Sequence, residues 1–116
     1  MELALENGKY TASATGRLNT VEGERELCQR LVMKLSARRG GFAPLPDYGS
    51  RLHELLRSVK PSEREGAARQ FAAEALADEP GVTVESAAVV DKGDGTAELS
   101  LALRVGDGAL TLGIIT

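Results

Sequence analysis

The hydrophobic period of this chain changes once, at Asp78-Glu79-Pro80-Gly81, and that change decides which folds are open to it. Before it, apolar residues recur three and four positions apart, as on amphipathic helices; after it they alternate with polar ones, as on half-buried strands. Proline cannot continue a helix and glycine turns the chain, so the boundary is sharp. Beyond it, Val82 and Val84, then Ala88 and Val90, predict a first strand. Asp94-Gly95 is a turn, and Leu99, Leu101, Leu103 and Val105 line a second strand with Glu98, Ser100 and Arg104 outside. Gly106-Asp107-Gly108 turns again into a third strand carrying Leu110, Leu112 and Ile114. Three strands joined by tight turns form an antiparallel meander, and the preceding helices are there to cover one of its faces. The fold class is therefore α+β, with three helices on one face of a small antiparallel sheet.

The helices can be placed from their stripes. Leu27, Cys28, Leu31, Val32 and Leu35 share one face of a helix over residues 21–38, stopped by Gly40-Gly41 and capped by Asn19 or Thr20, with Glu22 completing a box from Asn19. Leu52, Leu55, Leu56 and Val59 face inward from a second helix over 50–59, with Asp47 or Ser50 as its cap. Pro61-Ser62-Glu63-Arg64-Glu65 opens the third with a capping box between Ser62 and Glu65. Ala68, Phe71, Ala72, Ala75 and Leu76 form its buried face, and so many alanines predict close approach to a neighbour. Between the first two helices, Pro44 and Pro46 fix their own backbone and push the preceding residues out of helical geometry. The elbow over 42–47 is thus expected to be extended and stiff. At the start of the chain, Leu3 and Leu5 alternate around polar residues ahead of Asn7-Gly8, which predicts a strand pair over 2–12.

Composition removes several classes of function. At 116 residues the chain is the length of one domain that buries about two thirds of its unfolded surface, so 1–116 reads as a single unit with 1–16 as a strand or arm. Fourteen basic and seventeen acidic residues give a net charge of −3 with no block of either sign, a poor grip on nucleic acid. Cys28 alone cannot form an internal disulfide, and with His53 it falls short of a zinc ligand set. The N-terminus lacks the pattern of a secretory signal, and no apolar run approaches a bilayer span, so a cytoplasmic location is expected.

Candidate chemistry is sparse. His53 has no predictable nucleophile or orienting acid, and Cys28 lies on an apolar stripe, where a small buried thiol is the ordinary reading. Asp91-Lys-Gly-Asp-Gly-Thr has glycines at ligand positions of a calcium loop and Ala102 in place of the closing glutamate, so it reads as a hairpin turn. Gly93 and Gly95 join strand to strand, not strand to helix, which argues against a dinucleotide site. Neither an enzymatic activity nor a cofactor is expected. The last strand, 109–116, carries no charge and no proline, the usual protections of a sheet edge. Two readings are open: the N-terminal segment covers it, or a partner adds a strand to it.

Pro46-Asp47-Tyr48-Gly49-Ser50 with Leu52, and Ala75-Leu76 followed by Glu79-Pro80, give the chain a resemblance to the baseplate-wedge and sheath-initiator family of contractile phage tails. That family includes lysozyme-like wedge proteins and type VI secretion baseplate components, and the resemblance spans residues 17–116. It departs at Gly81, where the family's Glu-Pro-Arg motif has arginine. The resemblance implies a non-enzymatic part, in six copies around the tail tube and a monomer or dimer alone, with no cofactor, nucleic acid or membrane partner. It implies contacts with wedge proteins on the helical side, through Glu79, Pro80, Asp47, Tyr48 and Gly49, and with the tail sheath protein by strand addition along Leu110, Leu112 and Ile114. For Asp47 and Gly49 the residues themselves favour capping and turning, and Glu79-Pro80 serves equally as a helix stop. The implied location is the cytoplasm of the producing bacterium, then a virion tail or injection device. The same fold occurs in an anti-adaptor that binds a response regulator, which is the alternative function.

Overall fold

The computed structural model describes residues 2–4, 10–15 and 21–116, with side chains from residue 25 onward. The elements run β1 (Glu2–Ala4), β2 (Tyr10–Thr15), α1 (Val21–Ser36), α2 (Leu55–Ser58), α3 (Arg64–Ala75), β3 (Val82–Asp91), β4 (Ala97–Val105) and β5 (Gly108–Ile115). The strands form one sheet in the order β1-β2-β5-β4-β3, every neighbouring pair antiparallel. The expected helices and C-terminal meander are all present, and the N-terminal strand pair extends the sheet. Short 3₁₀ turns, Leu52–Glu54 and Pro61–Glu63, lead into α2 and α3. The Asn7-Gly8 turn and the cap at Asn19-Thr20 with Glu22 lie outside the described residues and side chains.

One core joins the two layers. Cys28, Leu31, Val32 and Leu35 of α1, Leu52 and Leu55, and Ala68, Ala72 and Ala75 of α3 pack over Leu99, Leu101 and Leu103 of β4 and Leu110, Leu112 and Ile114 of β5. These leucines are almost fully buried, and each contributes about 1.5–3 kcal/mol relative to exposure. Alternation in β4 and β5 is as regular as the sequence predicts. In β3 it is not. A bulge between Val84 and Ser86 shifts the register, so the inward positions become Val82, Val84, Ala87 and Val89 while Ala88 and Val90 turn to solvent. An inserted residue reverses the faces of everything after it, because the side-chain period of a strand is two.

The reading of β5 as an open edge is corrected. β2 pairs along it from Tyr10↔Ile114 to Thr15↔Ala109, and β4 pairs along its other side. Its backbone is paired on both flanks, and Leu110, Leu112 and Ile114 are core residues. They are not a partner-binding strand. The missing charge and proline reflect a central strand, and among the described residues the edges are β1 and β3.

The elbow also differs from expectation. It is two consecutive turns instead of an extended segment: Leu45 N–H donates to Phe42 O at 3.0 Å, and Tyr48 N–H to Leu45 O at 3.1 Å. Pro46 occupies the second position of the latter turn, where its fixed φ is favourable. The chain then meets the end of α1. Ser50 Oγ donates to Leu35 O at 2.5 Å, Ser50 N–H donates to Ala37 O at 2.8 Å, and Arg39 N–H donates back to Ser50 O at 3.0 Å. Ser50 Oγ also accepts the amide of Leu52 at 3.3 Å. Neither Asp47 nor Ser50 is the N-cap of the second helical segment, whose lead-in turn is flanked by Arg51 and whose α2 has no side-chain cap hydrogen bond. Ser50 instead closes the end of α1, where it satisfies carbonyls that a helix end leaves without partners. The Ser62–Glu65 box does not form, since neither α3 nor the turn before it has a side-chain cap hydrogen bond. Arg64 instead closes α2, donating to Leu56 O and Val59 O.

Gly49 makes this seam possible. Its φ is +103°, and a Cβ there would lie 2.7 Å from Ala37 O and 2.9 Å from Arg38 C and Arg39 N. Gly81 also has a positive φ, +77°, but open space around it. Gly49→Ala is expected to lower stability by at least about 2 kcal/mol, combining strained backbone with a backbone clash. Gly81→Ala should cost about 1 kcal/mol from backbone conformation alone. Urea denaturation of the two variants checks the order.

Candidate functional site

The elbow and the turn after α3 meet on one flank of α1. Glu79, which the sequence offers as a partner contact, is buried, its side chain only 6% exposed. Arg30 of α1 grips it from two nitrogens: Nε donates to Oε2 at 3.0 Å and Nη2 to Oε1 at 3.0 Å. Lys34, one helical turn on, donates to Glu79 Oε2 at 2.5 Å and to Asp78 Oδ1 at 2.9 Å. Glu79 thus ties α1 to the junction between α3 and β3. Pro80 and Gly81 follow in a turn closed by the Val82 amide on Glu79 O at 3.4 Å. A positive φ in the third position is the requirement of a type II turn, and proline is common in the second.

Charges around the tie are held in their ionised forms. Hydrogen bonding from Arg30 keeps the Glu79 carboxyl below its usual range; burial opposes this and Lys34 adds to it. Burial works against the Lys34 ammonium most strongly, yet hydrogen bonds to Glu79 and Asp78 outweigh it and its pKa rises. Asp78 is lowered chiefly by its bond from Lys34. On the other side of the elbow, Arg51 donates to both oxygens of Glu74 at 2.9 and 3.1 Å, which lowers the Glu74 carboxyl, and its guanidinium lies 4.3 Å from the centre of the Phe71 ring. Arg51 fastens the start of the second helical segment to α3.

Two shallow depressions flank Lys34. One, of about 240 Å³, is lined by residues including Asp47, Tyr48, Gly49, Glu74 and Asp78. The other, of about 390 Å³, runs along the outer face of α1 between Glu26, Gln29, Arg30, Met33, Lys34 and Tyr48. Asp47, Tyr48 and Gly49 are thereby brought beside the Asp78-Glu79 turn, whereas Leu110, Leu112 and Ile114 are in the core. Within the group, Asp47 is the most open, 92% exposed with Arg39 at 3.7 Å. Tyr48 is half-buried, Gly49 is buried in the seam, and Pro80 is exposed.

Sequence reading missed Arg30, Lys34 and Met33 as members of this surface. Arg30 and Lys34 stand four apart, a spacing that places two cations on one helical face, but their acid is 45 or more residues away. Met33 is 62% exposed, Phe42 56% and Leu45 52%. All three fall outside the buried stripes, which is the legible sign of an apolar surface. His53 borders a separate cleft with Ser36, Arg38, Leu52, Leu56, Gly95, Ile115 and Thr116, and among the described residues no Asp or Glu lines it. Cys28 is buried in the core, and among the described residues no cluster of His, Cys, Asp and Glu is arranged to hold a metal. Nor is any described helix long and apolar enough to cross a membrane.

No protein-family model matches the chain, and no curated protein does. Among solved structures, a crystal structure from Geobacter sulfurreducens, provisionally described as a tail lysozyme, is similar to it with a TM-score of 0.67 at 20% sequence identity. The match covers 86% of this chain and 95% of that one. The two proteins share a fold.

Because Glu79 is stabilised in its charged form, its contribution to stability is fully present above the ordinary glutamate value of 4.5 and fades as pH falls through its lower folded-state value. Lys34 has the opposite sign: its contribution is complete below the ordinary 10.5 and is lost as pH rises past its raised value. Glu79→Gln leaves Arg30 without its anion and Lys34 with Asp78 alone, and is expected to cost about 1–3 kcal/mol at neutral pH. The deficit relative to wild type should shrink as the pH drops below 4.5. Thermal unfolding across pH 2–7 measures both.

Proposed function

We propose that this chain is a structural, non-enzymatic component of a contractile phage tail or a related injection-system baseplate. It docks wedge proteins on the α1–elbow side and starts the tail sheath by strand addition at its sheet edge. The observation that carries the reading is the rigid α1–elbow surface, which displays Met33, Phe42 and Leu45 to solvent on backbone fixed by Gly49 and Ser50. Large apolar side chains on a stiff scaffold suit a docking face, because little freedom is lost on binding. The fold shared with a tail protein supports the setting.

A hydrolytic role fits less well. Glycoside hydrolysis calls for two carboxyls flanking an open cleft, one of them kept protonated as the acid. Glu74, Asp78 and Glu79 are all pushed the other way, toward the charged form, by neighbouring cations.

With β5 enclosed, the edge offered to the tail sheath protein is β3, which among the described residues pairs with β4 alone. Its stretch Ser86–Val90 has neither charge nor proline, so its backbone is suited to an added strand. Six copies closed into a ring around the tail tube would raise the effective concentration of each weak contact.

Tagging the chain at its own genomic locus and purifying tail particles tests the proposal. It should travel with tube, wedge and sheath proteins, at six copies per particle. The double variant Ala88→Lys, Val90→Lys, at exposed positions, should retain the fold while yielding tubes without sheath. Absence from the particles, or copurification with a response regulator alone, contradicts the baseplate reading, and full sheath on the variant contradicts strand addition at β3.

A further inference from the structure

We infer that the groove on the outer face of α1 receives a partner segment that seats an apolar side chain between Met33 and Tyr48 and presents a carboxylate to Arg30. This rests on the docking reading above and adds the chemistry of what docks. Arg30 is the distinguishing group. Nε and Nη2 are engaged by Glu79, while Nη1 has no acceptor among the described residues, and the side chain is 54% exposed at the groove rim. Glu79, buried beneath it, holds the guanidinium in one orientation before any partner arrives. A fixed guanidinium with open donors binds a planar carboxylate at low ordering cost.

The other charges around the groove set the direction of the partner. Lys34 is occupied by Asp78 and Glu79 and only 12% exposed, so it does not compete for a second anion. Glu26, one turn before Arg30, is exposed and has no ion pair among the described residues. Its charge acts on Arg30 itself and repels an acid arriving from the N-terminal end of α1, so the partner's carboxylate reaches Arg30 from the Met33 side. Met33, three residues beyond Arg30, unbranched and adaptable, lies open and lines the groove together with the half-buried Tyr48. Phe42 and Leu45 continue the apolar surface along the elbow.

Selection of a displayed library of random dodecapeptides against the full chain, followed by titration of the recovered peptides, tests this assignment. The recovered peptides should share a large apolar residue close to an Asp or Glu. Binding should weaken at least about tenfold in Met33→Glu, and by about the same factor when the peptide's acid is replaced by its amide. Met33→Glu should unfold at the wild-type temperature, since the side chain is in solvent. Failure to enrich peptides overturns the inference, as does a shared sequence without an acid, or equal binding by Met33→Glu or by the amide peptide. The titration needs no tail particle, so it can fail while the particle experiment succeeds, and the reverse.

Discussion

The end of α1 is sealed by a single serine, and the arrangement of the helical layer depends on that contact. Ser50 satisfies Leu35 O through its hydroxyl and Ala37 O through its amide, and its own carbonyl accepts from Arg39. A buried carbonyl without a donor costs about 1–3 kcal/mol, so the seam is worth as much as a core side chain. It exists only because Gly49 lets the backbone come within contact distance of Ala37 and Arg38. The elbow is consequently not a loose connection between helices. It is the C-terminal cap of the first helix, supplied by Ser50 from 15 residues beyond Leu35, and it delivers Leu52 and Leu55 to the core in a fixed position.

A second tie completes the clamp. Arg30 and Lys34 reach from the same helix to Glu79 at the point where α3 hands over to the sheet. The helix is thus held at its end by backbone hydrogen bonds and along its flank by ion pairs. Arg30, half exposed, keeps part of its hydration while it pairs with the buried Glu79, whereas Lys34 is desolvated with it and stays charged through its two carboxylates.

Much of the fold was legible because it follows from periodicity. The stripe of α1, the alternation in β4 and β5 and the Pro80-Gly81 boundary are local patterns, and the structure repeats them. What could not be read was set by tertiary pairing. No local signal separates an uncharged central strand from an unprotected edge, so β5 read equally well as either until β2 was seen beside it. The bulge in β3 inserts one residue into an otherwise alternating segment, and Ala88 and Val90 fit the pattern only if the register is uninterrupted. In the candidate site, Asp47, Tyr48 and Gly49 could be picked out from the elbow's composition. Arg30 could not, because its meaning comes from an acid 49 positions away.

Gly81 belongs to the same geometry. Backbone at φ +77° is strained for any residue bearing a Cβ, so glycine suits the third position of the turn after Glu79-Pro80. The cations that meet Glu79 come from α1. That pairing makes a turn residue's carboxylate an interior anchor and leaves a guanidinium on the outer surface of the helix. The acid most expected to face a partner is the one the fold uses for itself, and the group it orients, Arg30, is what remains turned outward.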